Sequence, residues 1–239
     1  TPEAFMARAL TLARRGLYTT DPNPRVGCVL VKRREIVGEG YHVRAGEPHA
    51  EIHALAAAGD AARGATAYVT LEPCAHHGRT GPCAQALIEA GINKVVAAMQ
   101  DPHAAVAGQG FAMLREAGIE VECGLLEGEA RALNPGFVSR MTRGRPFVRM
   151  KMAMSLDGRT AMRSGESQWI TGPRARTEVQ RLRARSSAVI SGVDSIIFDN
   201  SRLTVRASQL DLDDGEAIAR RQPLRVIVDS SLRLPLAAA

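Results

Sequence analysis

The chain has 239 residues, which is enough for one large domain or two ordinary ones. Hydrophobic residues make up 45% of the sequence and charged residues 23%, a balance typical of a soluble globular protein. The net charge of +6 is moderate, and aromatic residues, at 4%, are too sparse to favour single-stranded nucleic acid as a partner.

The cysteine content and the hydropathy pattern bear on the compartment. Four cysteines without the marks of a disulfide framework indicate a reducing environment. The sequence shows neither a signal peptide nor an apolar run long enough to span a membrane. We therefore expect a cytoplasmic protein that has neither a membrane nor nucleic acid as its partner.

In chain order, apolar residues at helical spacing predict a helix over 2–15, closed by Gly16. Two apolar runs, 26–31 and 36–41, are joined by the charged residues 32–35, which predicts a β-hairpin.

Two polar residues flank the hairpin. Asn23 lies between two prolines, so its amide is held unusually firmly for a loop residue. It could donate and accept hydrogen bonds towards a pyrimidine ring, or it could simply form the turn. His42 either lines a pocket or lies at the surface, and the surface is the commoner place for a histidine without a clear partner.

The stretch from His49 to Cys83 carries the strongest chemical signal. A His-Ala-Glu sequence at 49–51 precedes a Pro-Cys pair and a further cysteine, the order found in zinc-dependent nucleobase deaminases. One imidazole and two thiolates can hold Zn²⁺ and leave its fourth tetrahedral position to water. A nearby carboxylate that is not a ligand could pass a proton from that water to departing ammonia. We therefore predict as zinc ligands His49, Cys74 and Cys83, with Glu51 as the catalytic residue.

The local pattern around these residues suits a metal site. His49 and Glu51 are expected in the first turn of a helix over 49–58. Cys74 follows a strand-like run, and Cys83 follows Gly-Pro, a good helix opening. Thiolates at helix N-termini are stabilised by the backbone dipole.

The spacing of the cysteines departs from the common deaminase form. Eight residues separate Cys74 from Cys83, where two are usual, and two such cysteines taken alone could be ordinary buried thiols. A purely structural zinc is a second alternative, in which His76 or His77 would supply a fourth ligand. The presence of the His-Ala-Glu and Glu-Pro-Cys sequences together favours the catalytic site.

The following segments alternate between strand and helix, which predicts a mostly parallel sheet with helices on both faces. The predicted segments are strand 65–71, helix 83–90, strand 94–98, helix 106–117 and strand 119–123. Gly91 and Gly118 lie where helix C-caps belong. Cys28 and Cys123 lie in predicted strands and are interpreted as small buried hydrophobes.

Residues 124–144 form a predicted helical connector, broken at Asn134. A new strand over 147–153 then begins a second domain, so we predict domains at 1–144 and 145–239. In the second domain we expect a turn at Asp157-Gly158, and the other elements are strand 159–162, helix 174–185, strand 186–191 and strand 225–228.

The arginines of this chain concentrate in 140–149 and 174–185. Such runs are most often a solvated face, and the alternatives are a nucleic-acid surface or a site for phosphate-bearing small molecules. Arg183 and Arg206 could each offer a planar fork of donors to a phosphate. Trp169 lies among small polar residues, where it could face a ligand or belong to a domain core.

Four stretches together resemble one known family, the bifunctional deaminase–reductase of bacterial riboflavin biosynthesis. They are PNPRVG at 22–27, GEPHAEIH at 46–53, TLEPCAHHGRTGPC at 70–83 and MKMAMSLDGRTAMRSGESQWITG at 150–172. The eight-residue gap between the cysteines is what that family shows. The resemblance runs from the first helix to about Arg206 and resumes weakly at 225–230.

The resemblance implies an α/β fold in which a cytidine-deaminase-like three-layer domain precedes a dihydrofolate-reductase-like α/β domain. The first would use Zn²⁺ to deaminate a diaminohydroxyphosphoribosylaminopyrimidine. The second would use NADPH to reduce the ribosyl group of the product to a ribityl chain. The family also implies a homo-oligomer, either a dimer or a tetramer.

The resemblance further implies roles for single residues of the second domain. The positions that match NADP contacts are Ala153, Trp169, Ser195, Asp199 and Ser230. The positions that match contacts to the ribose phosphate are Ser167, Arg183, Leu203 and Arg206. Hydride transfer requires alignment more than acid–base chemistry, so no catalytic acid is predicted there.

Two features depart from the family. Asp199-Asn200-Ser201 stands where Asp-Asp-Pro is common, which weakens the cofactor contact assigned to Asp199. The second domain would have about 95 residues, small for a dinucleotide-binding unit, and no glycine-rich segment for the pyrophosphate follows. We expect the reductase domain to be incomplete because the final part of a longer protein is missing, rather than because it is degenerate.

Three other functions remain as alternatives. The first is a monofunctional pyrimidine deaminase with a degenerate reductase domain. The second is a deaminase of cytidine or of tRNA adenosine, against which stand the long cysteine spacing and the second domain. The third is a non-catalytic zinc-stabilised binding module.

Overall fold

A computed structural model describes residues 1–75 and 81–238 of the chain. The chain divides into two compact units, Thr1–Val148 and Arg149–Ala239. The first unit contains, within the described residues, α1 (Pro2–Arg14), β1 (Gly27–Lys32), β2 (Glu35–Tyr41), α2 (Ala50–Ala58), β3 (Thr66–Val69), α3 (Cys83–Glu89), β4 (Lys94–Ala97), α4 (Gln109–Glu116), β5 (Glu120–Cys123), α5 (Glu127–Leu133) and α6 (Pro135–Arg143).

The strands of the first unit form one sheet in the order β2-β1-β3-β4-β5. β1 pairs antiparallel with both β2 and β3, whereas β3, β4 and β5 pair in parallel. All strands except β1 therefore point the same way. The hairpin predicted over 26–41 is confirmed, because β1 and β2 are joined by the left-handed residues Arg33 and Arg34.

Helices α1 and α2 cover opposite faces of this sheet, and glycines let both approach closely. A Cβ atom at Gly27 would lie 2.0 Å from the carbonyl oxygen of Ala9 in α1. A Cβ atom at Gly40 would lie 2.3 Å from the carbonyl oxygen of Ala50 in α2. Gly40 pairs with Cys28 and therefore faces the same side of the sheet as Cys28. Gly27 is the residue before Cys28 in the strand, so it faces the opposite side. Helices on both faces were predicted from the alternating pattern and are confirmed.

The core lies between the sheet and these helices. On α1, Met6, Ala9, Leu10 and Ala13 are buried, which follows the spacing of one helix face. The central strands are buried along their length, as expected of strands covered on both sides. The connector also joins this core through the buried residue Ala130, so it is a packed part of the first unit.

Of the two cysteines predicted to be buried in strands, one is buried and the other is exposed. Cys28 is fully buried in β1, whereas Cys123, the last residue of β5, is exposed. β5 is an edge strand, so one of its sides has no neighbouring strand to cover it. The interpretation of Cys123 as buried was wrong for that reason.

The second unit contains, among the residues described, α7 (Pro173–Ala184), β6 (Ala188–Gly192), α8 (Val193–Asp199), α9 (Gly215–Ala219) and β7 (Leu224–Val228). β6 and β7 form a parallel pair in which Gly192 lies opposite Val228. The predicted helix over 174–185 and the strands over 186–191 and 225–228 are confirmed within a few residues.

Two predicted strands of this unit, 147–153 and 159–162, are wrong. The turn between them is present, with Gly158 donating its N–H to the carbonyl of Ser155. The alternating apolar residues Val148, Met150 and Met152 predicted one buried face of a strand, but all three are exposed. Without such burial the pattern does not produce a strand.

The predicted domains, 1–144 and 145–239, place the boundary four residues before the division into compact units, and they remain a prediction. Across 1–75 and 81–238, none of the helices has both the length and the apolar character needed to cross a bilayer.

Candidate active site

The first candidate group lies at the N-terminus of α2. His49 has extended backbone angles and is the N-cap residue, so its side chain projects from the point where the loop becomes a helix. Glu51 follows in the first helical turn. The short spacing between them and the change of backbone conformation place both side chains at one end of α2.

The two cysteines meet at the N-terminus of α3. Cys83 is the first helical residue and follows Pro82, whose fixed backbone suits that position. The backbone N–H of Cys83 donates to Sγ of Cys74 over 3.3 Å, and the N–H of Ala84 donates to the Cys74 carbonyl over 3.1 Å. The helix N-terminus therefore holds the loop that carries Cys74, as well as Cys83 itself.

The side chains of His49, Cys74 and Cys83 converge, with their nitrogen and sulfur atoms all within 4.8 Å of one another. Nδ1 of His49 lies 3.6 Å from Sγ of Cys74 and 3.3 Å from Sγ of Cys83. Ligands of a tetrahedral zinc ion at ordinary Zn–N and Zn–S bond lengths would lie about 3.6 Å apart. The donor set and its spacing therefore fit Zn²⁺, with three protein ligands among the described residues.

Glu51 is buried beside this group, at 3% exposure. Burial, reinforced by the nearby Cys74 sulfur, raises the pKa of Glu51 to about 7. Its Oε2 atom is buried and has no hydrogen-bond partner in the part of the chain that the structure describes. A buried carboxylate oxygen without a partner is costly, and such an atom is suited to exchanging a proton with a bound molecule.

The two thiols influence each other's ionisation. Hydrogen bonding to Cys83 lowers the pKa of the Cys74 thiol, and the same contact raises the pKa of Cys83. The pair therefore favours at least one thiolate, which is the form that binds metal.

His42 and Asn23 also reach this site. His42 is buried, at 2% exposure, so the preference for a surface position was wrong. Burial lowers the pKa of His42, which favours its neutral form, and its ring lies edge-on to that of His49 with centroids 5.3 Å apart. Nδ1 of His42 is 3.1 Å from the Pro48 carbonyl, an acceptor, and Nε2 is 3.1 Å from the amide nitrogen of Asn23. Neutral His42 therefore donates to Pro48 and accepts from Asn23.

Glu72 supports the loop that carries Cys74; the sequence placed it in the Glu-Pro-Cys motif but predicted no role for its side chain. One carboxylate oxygen of Glu72 accepts from the backbone N–H groups of Asp101 and Gly108, at 3.0 Å each. The other accepts from Gly110 and Phe111, at 2.9 and 3.3 Å. Glu72 thus caps the N-terminus of α4 and joins it to the Cys74 loop. Its partners are 29 to 39 residues away, so no local pattern could have revealed them.

His76 and His77, considered as a fourth zinc ligand, lie outside the described residues.

The residues expected to contact the ribose phosphate fall in two places. Arg183 on α7 donates to the Thr204 carbonyl over 3.2 Å, and Leu203 is buried one residue before it. Burial and the nearby charge of Arg206 lower the pKa of Arg183. The segment of Arg206 is held to α7, since its backbone N–H donates to Oε1 of Gln180 over 3.1 Å. Two close cations favour an anion between them. Ser167 lies elsewhere, in a cleft of about 680 Å³.

The residues expected to contact NADP also fall in separate places. Trp169 lines the same cleft as Ser167, is 71% exposed, and has the guanidinium of Arg176 4.4 Å from its ring centroid. The interpretation of Trp169 as a domain-core residue is therefore wrong. Ala153 is half-buried.

Ser195 and Asp199 are exposed on α8, which follows β6, and Ser230 is exposed after β7. Because β6 and β7 are parallel and in register, Ser195 and Ser230 follow closely after the carboxyl ends of neighbouring strands, whereas Asp199 is the last residue of α8. Ligands of α/β sheets commonly bind at that edge. Asn200, at the departure from the family pattern, has left-handed backbone angles with φ of 46°, which asparagine tolerates better than most residues.

Two families match the chain in succession. Residues 1–99 match the cytidine and deoxycytidylate deaminase zinc-binding region, and residues 146–239 match the RibD C-terminal domain. The two matches place a deaminase-type zinc-binding region before a RibD C-terminal domain, in the order expected from the sequence.

Two curated relatives are similar over nearly the whole chain. Riboflavin biosynthesis protein RibD of Escherichia coli is 58% identical over 97% of this chain and 64% of that protein. The protein of the same name from Haemophilus influenzae is 59% identical over 96% of this chain and 63% of that protein. The chain thus spans less than two thirds of the length of these relatives.

Two solved structures are also similar to this chain over nearly its whole length. RibD of Acinetobacter baumannii superposes with a TM-score of 0.94 at 56% identity, covering 99% of this chain and 65% of that one. A diaminohydroxyphosphoribosylaminopyrimidine deaminase/5-amino-6-(5-phosphoribosylamino)uracil reductase from Thermotoga maritima gives a TM-score of 0.85 at 44% identity, covering 95% of this chain and 63% of that one. From its two domain matches and these relatives, the chain belongs to the RibD family.

Proposed function

We propose that this chain carries two successive activities of riboflavin biosynthesis. The first is the zinc-dependent hydrolytic deamination of diaminohydroxyphosphoribosylaminopyrimidine. The second is the NADPH-dependent reduction of the ribosyl side chain of the product to a ribityl chain. The observation that carries the proposal is the convergence of His49, Cys74 and Cys83 beside the buried carboxylate of Glu51, in a chain of this family.

In the deaminase site, His49, Cys74 and Cys83 would hold Zn²⁺. When bound there, zinc lowers the pKa of water at its open position towards neutrality. Glu51 is the group that moves the proton. Its Oε2, which has no hydrogen-bond partner among the described residues, accepts a proton from the attacking water and delivers it to the departing amine. A pKa of about 7 for Glu51 suits both steps, since the group can take up and release a proton near neutral pH.

We place the pyrimidine ring against Asn23 and His42. One hydrogen of the Asn23 amide is used in the contact with Nε2 of His42, so its carbonyl oxygen and second hydrogen are available to a ring. That pairing of one acceptor and one donor matches the edge of a diaminohydroxypyrimidine. Because the His42 ring adjoins His49, a base held here would lie next to the zinc ligands.

In the second unit, the proposed NADPH contacts are Ala153, Trp169, Ser195, Asp199 and Ser230. The proposed contacts to the ribose phosphate are Ser167, Arg183, Leu203 and Arg206. The cofactor supplies a hydride, and the protein's part is to bind and align the two reactants. The nearby charges of Arg183 and Arg206 support the phosphate site, and the exposed residues Ser195 and Ser230, just beyond the parallel strands, support the cofactor site.

Replacement of one carboxylate tests the deaminase assignment. In Glu51→Gln, we expect zinc content to persist, because the three ligands are unchanged, while ammonia release from the phosphoribosylaminopyrimidine is lost. Glu47→Gln, an exposed position four residues earlier, is the matched control and should keep both. Ammonia release that survives in Glu51→Gln would show that another group carries the proton.

The reductase assignment has its own test. The purified chain is given the deaminated product and NADPH, and NADPH oxidation is followed by absorbance. Oxidation at a rate that depends on the product supports the bifunctional assignment. Ammonia release without NADPH oxidation would instead establish the monofunctional deaminase that the sequence left as an alternative.

We further propose that the protein is a cytoplasmic homo-oligomer that acts on a small-molecule substrate. None of the four cysteines, all of which lie in the described part of the chain, is in a disulfide, which is consistent with a reducing compartment. Sedimentation or light scattering of the purified chain tests the oligomeric state.

A further inference from the structure

Asn134 lies at the break between α5 and α6, 109 residues after Arg25 in sequence. It is the residue at which one helix ends and the next begins. Its side chain is buried, at 3% exposure, although asparagine is usually exposed. A buried amide must find hydrogen-bond partners, and those of Asn134 lie in the N-terminal loop.

The amide of Asn134 binds the backbone of Arg25 at two points. The N–H of Arg25 donates to Oδ1 of Asn134 over 2.8 Å, and Nδ2 of Asn134 donates to the carbonyl of Arg25 over 2.9 Å. This exchange of two bonds resembles one hydrogen-bonded pair of an antiparallel ladder. It requires a donor and an acceptor side by side, which an amide provides and an alcohol, carboxylate or aliphatic group does not.

The loop that Asn134 holds leads directly to the site. Asn23 is two residues before Arg25 and is flanked by prolines, which limit its backbone freedom. On the other side, the N–H of Gly27 donates to Oγ1 of Thr70 over 3.1 Å. The loop is therefore fixed at Arg25 and Gly27. The Asn23 amide, which lies 3.1 Å from the His42 ring, is on this same loop.

We propose that Asn134 is a positioning residue of the deaminase site, which fixes the loop so that the Asn23 amide meets the pyrimidine. The inference rests on the proposed function and deepens it. It makes the connector a part of the catalytic unit, since substrate binding depends on a residue located between α5 and α6. Asn134 acts through the Arg25 backbone and Asn23, without touching substrate or zinc.

The chain offers a matched control in Ser139. It is also buried at 3% exposure and also lies in the connector. Its hydroxyl donates to the Arg145 carbonyl over 2.8 Å and accepts from the Arg143 side chain over 2.9 Å. These contacts stabilise the end of α6 itself, so Ser139→Ala removes a buried polar group from the same segment without releasing the Asn23 loop.

The test compares Asn134→Ala, Asn134→Asp and Ser139→Ala with the wild type as full chains loaded with zinc. Asn134→Asp is nearly isosteric and keeps the acceptor but removes the donor to the Arg25 carbonyl, so it probes the contact if the alanine variant folds poorly. Ammonia release gives kcat and KM for the pyrimidine. Metal analysis gives zinc content, and hydrogen exchange reports on the backbone amides of residues 19–27.

We expect both Asn134 variants to raise KM about tenfold, the effect of losing one or two hydrogen bonds that order the loop. Their kcat should change less, because binding rather than the proton transfer is weakened. Zinc content should stay at the wild-type level, and the amides of 19–27 should exchange faster. Ser139→Ala should leave KM and the exchange of that loop unchanged.

Two results would overturn the inference. One is a wild-type KM in both Asn134 variants, and the other is an equal rise of KM in Ser139→Ala. Loss of zinc from the Asn134 variants would also count against it, because a positioning role leaves the ligands intact. A wild-type chain that releases no ammonia would instead refute the proposed function, and the exchange data would still show whether Asn134 holds the loop.

Discussion

The carboxylate of Glu72 makes a quantitative prediction about the stability of the first unit. In Glu72→Gln, an NH₂ group replaces one oxygen and faces two backbone N–H donors that it cannot accept from. Each buried N–H left without an acceptor costs about 1–3 kcal/mol. Some relaxation of the loop is expected, so we predict that the free energy of unfolding falls by about 3 kcal/mol.

Urea unfolding followed by circular dichroism measures this change at the transition of the first unit. Glu89→Gln is the matched control, because Glu89 is exposed on α3 and contacts only the neighbouring side chain of Gln85 among its described hydrogen bonds. It should change stability by less than about 0.5 kcal/mol. A loss below about 1 kcal/mol in Glu72→Gln would refute the view that all four N–H groups depend on this carboxylate.

Two further predictions concern charged side chains. The hydrogen bonds from Arg8 lower the pKa of Glu39 in the folded state. The ion pair therefore stabilises the fold fully above the unfolded pKa of about 4.3, and this stabilisation is lost as the pH falls through the pKa of Glu39 in the folded state. Glu39→Gln should therefore be less stable than wild type at pH 7, with the difference shrinking below about pH 4 in thermal unfolding; a difference independent of pH would contradict this. Arg183→Ala should raise KM for the phosphorylated reductase substrate about tenfold with NADPH KM unchanged, and an equal rise in both constants would exclude a phosphate contact.

Local patterns were sufficient to predict most of the first unit. The helical spacing of α1, the charged turn between β1 and β2, and the glycines after α3 and α4 are signals contained within a few residues. Gly91 and Gly118 have φ values of 70° and 81°, as residues that end helices in the left-handed conformation do. The sequence order of the zinc motif likewise indicated which side chains to examine together, and the structure brings them to one place.

What the sequence did not reveal depends on contacts between distant segments. The buried ring of His42 bonds to Asn23, 19 residues earlier in the chain, and to the carbonyl of Pro48. Asn134 could be recognised as a helix break, yet its partner is 109 residues away. The strand predicted over 147–153 is the opposite case. Its local pattern of apolar residues suits a strand, but no neighbouring strand pairs with it among the described residues.

Among the described strands, β2 and β5 are the edges of the first unit's sheet, and their charged residues bear on aggregation. At the β5 edge, Glu120 and Glu122 both bind the ammonium group of Lys94, at 2.9 and 2.6 Å. At the β2 edge, Glu35 is exposed and Glu39 is bound by an arginine of α1. A strand from another molecule could hydrogen-bond to either edge only after these carboxylates lost their water. The charged side chains at both edges therefore disfavour edge-to-edge aggregation of the folded protein.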